Sequence, residues 1–244
     1  MGQGAAMQAD PPIRAVLFDK DGTLTDFRAT WDGWLGRILD DLAHASGAPV
    51  AALADAIGYD LDADAMRKDG LFVTATTRAS VRTLSAATGW AEDRVAAWWG
   101  PRIEGRRQVA VPGVAALFET LAGRGLVLGV LTNDERHSAQ THLRALGVAD
   151  RIAALIASDD GHGAKPDPAG ARAFAAAVGI APASILLVGD GATDRDAAAG
   201  AGMPFVGVLT GTLGAEDFPE ARGVLRTATE LPEWLDGARS AAPH

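Results

Sequence analysis

Ala15-Val16-Leu17-Phe18-Asp19-Lys20-Asp21-Gly22-Thr23-Leu24-Thr25-Asp26 decides how the rest of the chain is read. An apolar run stops at two aspartates spaced i and i+2, and a glycine and a threonine follow. Alternate residues of a strand share one side. A strand ending at Asp19, with Asp21 in the loop beyond it, brings two carboxyls towards one small volume. Such carboxylates repel each other unless a cation or a shared proton intervenes. Taken alone, the stretch fits equally well a buried strand closed by a polar Asp-Gly turn.

Working outward, further apolar runs at 126–131, 152–157, 184–188, 205–208 and 223–225 read as strands. The run at 126–131 is continuous and bounded by turns, which suits a strand buried on both faces. Helical stretches at 134–146, 167–178 and 194–201 lie between them, and 230–238 forms a last helix. Single helices between strands build right-handed βαβ units and a parallel sheet. Such a sheet binds ligands beyond the carboxyl ends of its strands. Those ends carry Asp19 and Asp21, then Thr132-Asn133, then Ser158-Asp159-Asp160 with Lys165-Pro166 beyond, then Gly189-Asp190-Gly191-Ala192-Thr193-Asp194. Each also has a plainer reading. Asp190 and Asp194 suit helix caps, Thr132-Asn133 an N-cap, and Lys165 a solvated loop.

Residues 26–109 break the alternation. They are helical in pattern, show no evident strand and hold five of the six tryptophans: Trp31, Trp34, Trp90, Trp98 and Trp99. Trp34, Leu35, Ile38, Leu39 and Leu42 trace one face of an amphipathic helix. We read this segment as an inserted helical domain.

Four motifs occur in order at successive strand ends: FDKDGTLTD (18–26), VLTN (130–133), the lysine of AKPDP (164–168) and GDGATD (189–194). Each is weak alone, but together they are specific. In these motifs the chain resembles the haloacid dehalogenase-like hydrolase superfamily, in the phosphoglycolate phosphatase-like branch with a helical cap after the first strand. The resemblance spans 13–236. It implies an α/β fold, a Rossmann-like parallel sheet core in three α/β/α layers, with an inserted all-helical cap. The expected division is a flexible tail at 1–12, the core at 13–25 and 110–238, the cap at 26–109 and a tail at 239–244.

The same resemblance implies roles. Asp19 is the expected nucleophile and Asp21 the general acid and base. Thr132, Asn133 and Lys165 are expected on the phosphoryl group. Mg²⁺ is expected on Asp19, Asp21 (through its backbone carbonyl) and Asp190, with Asp194 in support. The implied reaction is hydrolysis of a small phosphorylated metabolite, a phosphoglycolate-like phosphomonoester, through an aspartyl-phosphate intermediate. A phosphomutase of the same family and a non-catalytic phospho-ligand-binding protein are the alternatives. Three positions depart from the branch. Lys20 stands where an apolar residue is frequent, Asp26-Phe27 replaces an acidic-Ser pair, and Gly191 replaces Ser. In the cap, Arg67, Lys68, Arg78 and Arg82 are the candidates to meet an anionic leaving group, with solvated helix charges as the plainer reading. Trp31 lies close enough to the hinge to line the pocket, and His162 is the histidine expected nearest the site, read as a solvated loop residue.

Composition excludes other classes. The 244 residues carry a net charge of −9, which argues against a nucleic-acid or anionic-membrane binder. Cysteine is absent, so disulfides, thiolate metal sites and cysteine nucleophiles are ruled out. The first residues, MGQGAAMQADPP, lack the basic and apolar regions of a secretory signal. No apolar run approaches the roughly 20 residues of a membrane span. The expectation is a soluble cytoplasmic protein, monomer or homodimer, whose partner is a small phosphorylated substrate.

Overall fold

A computed structural model describes residues 11–240. The expected tails at 1–12 and 239–244 lie largely outside them. The chain opens with β1 (Ala15–Phe18), every residue of which is buried. A helical segment follows: α1 (Phe27–Trp31), α2 (Trp34–Ser46), α3 (Val50–Ile57), the short strands β2 (Tyr59–Asp60) and β3 (Ala65–Met66), α4 (Leu71–Thr74), α5 (Thr77–Thr88) and α6 (Glu92–Glu104). Then comes the strand and helix alternation: α7 (Val114–Gly123), β4 (Val127–Leu131), α8 (Arg136–Ala145), β5 (Ala154–Ile156), α9 (Ala169–Val178), β6 (Ile185–Gly189), α10 (Ala192–Ala201), β7 (Phe205–Val208), β8 (Gly223–Leu225) and α11 (Leu231–Ser240). The last helix runs to Ser240 rather than stopping at Ala238.

Six strands form one sheet in the order β5-β4-β1-β6-β7-β8, all neighbours parallel. After β1 the chain builds outward on one side through β4 and β5, then crosses to the other side at β6. The crevice beyond the carboxyl end of β1 is therefore a topological switch point, where open α/β sheets bind ligands. The pleat sends Val16 and Phe18 into one core with Leu117 and Phe118 of α7 and Leu231 of α11. It sends Ala15 and Leu17 into the opposite core with Phe174 of α9 and Ala198 of α10. Both faces are covered, so the strands read as continuous apolar runs.

The helical segment has a separate core that includes Trp31, Leu35, Leu39, Leu53 and Trp99. It is not all-helical. Strands β2 and β3 pair antiparallel, Tyr59 opposite Met66. The turn between them is held by side chains: Asp60 Oδ1 accepts from the amides of Asp62 and Ala63, both at 3.0 Å, and the Tyr59 hydroxyl donates to Asp64 Oδ1 at 2.6 Å. Strands of two residues leave no period to detect in a sequence.

The two linkers joining this segment to the sheet run side by side, bridged antiparallel between Thr25 and Ala110. The Asp26 amide donates to the Val109 carbonyl at 2.8 Å and the Val111 amide to the Leu24 carbonyl at 3.0 Å. Arg106 Nε donates to the Thr30 carbonyl at 2.7 Å, a structural role at the return linker. Among the described residues, no helix is long and apolar enough to cross a membrane.

Candidate active site

Asp19 directly follows β1, and its amide continues the ladder to the Val188 carbonyl at 2.8 Å. Its side chain is buried, and Oδ1 accepts from Lys165 Nζ at 2.5 Å. The same ammonium donates to Asp194 Oδ1 at 2.6 Å. Asp190, one residue past β6, accepts on Oδ1 from the Thr23 hydroxyl at 3.1 Å. Carboxylate oxygens of Asp19, Asp190 and Asp194 lie within 4.8 Å of one another. Asp194 also accepts from the Gly191 amide at 2.9 Å, so it holds the start of α10 as well as the lysine. Gly22, at φ 83°, makes this crowding possible, because a β-carbon there would overlap the Asp190 carboxylate.

One ammonium does not balance three buried carboxylates. Burial, opposed by Lys165 and reinforced by Asp194 and Asp21, pushes the Asp19 carboxyl up to about 6. Burial and the neighbouring Asp19 and Asp194 push Asp190 well above its ordinary value. Burial would lower the Lys165 ammonium, but Asp19 and Asp194 outweigh it and hold the proton more tightly than usual. Hard oxygen donors with surplus negative charge are what a small divalent cation such as Mg²⁺ takes, and the residues present fit it.

Asp21 points its two oxygens at different surroundings. Oδ2 accepts from Lys20 Nζ at 2.6 Å, whereas Oδ1 is buried with no hydrogen-bond partner. Lys20 is fully buried and lies 3.2 Å from His142 Nδ1 and 3.4 Å from Asp134 Oδ2. Asp134 Oδ2 also accepts from Ser138 Oγ at 2.8 Å. Burial opposes ionisation of Asp134, but His142, Lys20 and Ser138 together hold its carboxyl well below the usual range. Lys20 thus brings charge to the site rather than projecting away. His142, not His162, is the histidine in the pocket wall. His162 sits exposed on its loop. The signal for His142 was helical: Ser138, Ala139, His142 and Leu143 share the buried face of α8.

Thr132 follows β4, buried, and its Oγ1 accepts from the Asp134 amide at 3.1 Å, leaving the hydroxyl proton free to donate elsewhere. Asn133 also lines the pocket, but its carboxamide is committed to backbone. Oδ1 accepts from the Lys165 amide at 2.8 Å and Nδ2 donates to the Lys165 carbonyl at 3.0 Å. It clamps the loop that aims Lys165. Thr23 and Thr193 were not singled out from sequence; Thr23 orients Asp190, and Thr193 lines the pocket.

The helical segment forms the roof with Phe27, Trp31, Phe72, Val73, Thr77 and Ser80. Phe72 stands edge-on to Trp31 at 5.1 Å and to Trp99 at 6.2 Å between ring centroids. Trp31 lines the pocket as expected. The four cations proposed to face a leaving group do not reach it. Lys68 bonds Glu216 and Asp217, Arg67 pairs with Asp55, Arg82 lies 3.8 Å from Glu92, and Arg78 is exposed outside the pocket wall. Each is claimed by a nearby acid or by solvent, and linear sequence does not reveal that.

The haloacid dehalogenase-like hydrolase family model matches residues 13–202. Phosphoglycolate phosphatase of Rhodospirillum rubrum is 35% identical over 201 residues, covering 79% of this chain and 78% of that protein. Phosphoglycolate phosphatase of Escherichia coli K12 is 31% identical over 212 residues, covering 82% of each. The structure of CbbY from Rhodobacter sphaeroides in complex with phosphate superposes with a TM-score of 0.68 at 19% identity, over 90% of this chain and 96% of that one. That likeness speaks for the fold, and the sequence matches speak for descent. By the family match over most of its length and by its relatives, the chain belongs to the haloacid dehalogenase-like hydrolases, in their phosphoglycolate phosphatase-like branch, and is a hydrolase of phosphoric monoester bonds.

Proposed function

We propose that the chain is a Mg²⁺-dependent phosphatase that hydrolyses a small phosphorylated metabolite through a phosphorylated Asp19. One observation carries the reading: Asp19 ends β1 at the switch point, bonded to Lys165, with the unpartnered Oδ1 of Asp21 in the same pocket. Asp19, Asp190 and the backbone carbonyl of Asp21 would hold Mg²⁺, with Asp194 behind them. The ion supplies the positive charge that offsets repulsion between a carboxylate nucleophile and an anionic phosphate.

An Asp19 oxygen forms a bond to phosphorus as the bond from phosphorus to the leaving oxygen breaks. Protonated Asp21 gives its proton to that oxygen and the alcohol departs. Asp21, now a carboxylate, takes a proton from water, whose oxygen attacks phosphorus and breaks the bond to Asp19. Lys165 and the Thr132 hydroxyl donate to the phosphoryl oxygens as their charge shifts. Asn133 holds the backbone under Lys165 in place. The relatives' name makes phosphoglycolate the first ester to try. A cytoplasmic setting suits a chain without cysteine that acts on a small phosphorylated metabolite.

The test is phosphate release from a simple alkyl phosphate with and without Mg²⁺, repeated with Asp19→Asn. Activity that needs both the ion and Asp19 is expected. Undiminished release by Asp19→Asn would refute the covalent route.

A further inference from the structure

Resting on the phosphatase reading, we propose that the leaving group of the natural ester is an uncharged alcohol with an apolar, ring-sized face, and that it carries no carboxylate. The floor of the pocket holds Asp19, Asp21, Asp134, Asp190 and Asp194 against a single lining lysine, Lys165. That lysine is bonded to two of them, and together with Mg²⁺ it serves the phosphoryl group.

A second anionic group on the substrate would have to find its counter-charge in the roof. Among the described residues, no arginine lines the pocket, and Lys165 is its one lysine. The cations next to the roof lining in sequence stand outside the pocket wall: Arg28 bonds Asp32, Arg102 the Trp98 carbonyl and Lys68 Glu216 and Asp217, while Arg78 is exposed to solvent. Burying a carboxylate without a partner is costly, and the buried cations beside this pocket, Lys165 and Lys20, are already engaged by Asp19, Asp194, Asp21 and Asp134.

What the roof does offer is aromatic surface. Phe72 is held edge-on by Trp31 and Trp99, so its position is set by ring packing and not left to rotamer choice. Phe27, Val73 and Ile103 extend the same wall, and Thr77 and the buried Ser80 add hydroxyls suited to neutral polar groups. An apolar ring against Phe72 gains from burial, whereas a carboxylate there loses hydration and gains no partner.

The decisive comparison uses two esters whose leaving alcohols are of similar basicity, benzyl phosphate and 2-phosphoglycolate, assayed by phosphate release with Mg²⁺. The expected result is a kcat/KM at least ten-fold higher for benzyl phosphate. Val73→Arg, which places a guanidinium in the roof, is expected to raise kcat/KM for 2-phosphoglycolate and lower it for benzyl phosphate. Phe72→Leu is expected to raise KM for benzyl phosphate alone. Equal rates, or a preference for 2-phosphoglycolate, overturn the proposal and leave the phosphatase reading standing. Absence of Asp19-dependent release from both esters overturns that reading as well.

Discussion

At the carboxyl edge of the sheet, Asp19, Asp190 and Asp194 crowd within 4.8 Å around one lysine. Across the same pocket, Trp31, Phe72 and Trp99 stand edge to face with no ionic partner among them. The floor is electrostatically frustrated and held by its surroundings. The roof carries no such charge and is held by its own packing, with the Trp99 indole N–H buried without a partner. A site proposed to meet a phosphate and a cation keeps charges that a stable core would discard. A wall that only sorts leaving groups has no such need. Damage to the floor should therefore fall on the chemical step, and damage to the roof on the choice of ester.

The sharpest way to break this contrast is Asp21→Asn. It leaves the roof untouched and removes the proposed proton donor, so kcat for an alkyl phosphate should fall about 10³-fold with KM little changed. An aryl phosphate, whose leaving group needs less help, should lose much less. Equal losses on both esters would mean that Asp21 does not act on the leaving oxygen.

Next in size is a pair of lysines. Lys20→Met strips a fully buried cation from Asp21 and Asp134 and should cost about 3 kcal/mol in urea unfolding. Lys68→Met, which loses only exposed, solvent-screened pairs at the edge of the roof, should cost far less. Similar costs would show that burial does not set the difference.

Asp190→Asn should work the other way. With one fewer carboxylate in the cluster, the metal-free protein should gain about 1–2 kcal/mol, while the rise in Tm on adding Mg²⁺ disappears. A loss of stability would mean that the floor is not frustrated.

The smallest effect probes the helical segment alone. Burial, and then the hydrogen bond to Asp64, push the Tyr59 phenol up to about 12. Its unfolded value is about 10. The folded protein binds that proton more tightly, so stability falls as pH rises through this window. The chain has a single tyrosine, and phenolate absorbance reads it directly. The midpoint should lie near 12 and drop in Asp64→Asn.

Much of this was legible in the residues, for physical reasons that differ by region. The strands of the sheet stand out because burial on both faces makes them apolar throughout, as in Val127–Leu131. The floor stands out because parallel strands deliver their carboxyl ends to one edge, which brings Asp19, Thr132, Lys165 and Asp190 into one pocket. The pairing of Lys20 with Asp21 and His142 was not legible, since it depends on how α8 rotates against β1. In the roof, the plainer reading of the four cations as surface charges is the one the structure bears out. Arg67 and Lys68 are near the pocket in sequence, yet Asp55, Glu216 and Asp217 draw them outward. The hairpin at Tyr59–Asp60 and Ala65–Met66 rests on side-chain bonds in its turn, which no period announces.

The paired linkers also have a consequence for how the chain reaches its native state. The central ladder joins Ala15 to Val127, so β1 cannot meet β4 until everything between them has been gathered in. Closing so long a loop is entropically unfavourable and slow. The intervening helices have a hydrophobic cluster of their own, and their two ends are stitched together at Thr25 and Ala110. Once that cluster collapses, the loop is short-circuited, and the halves of the central ladder arrive side by side. The segment that roofs the pocket therefore also serves as a splint for assembling the sheet beneath it.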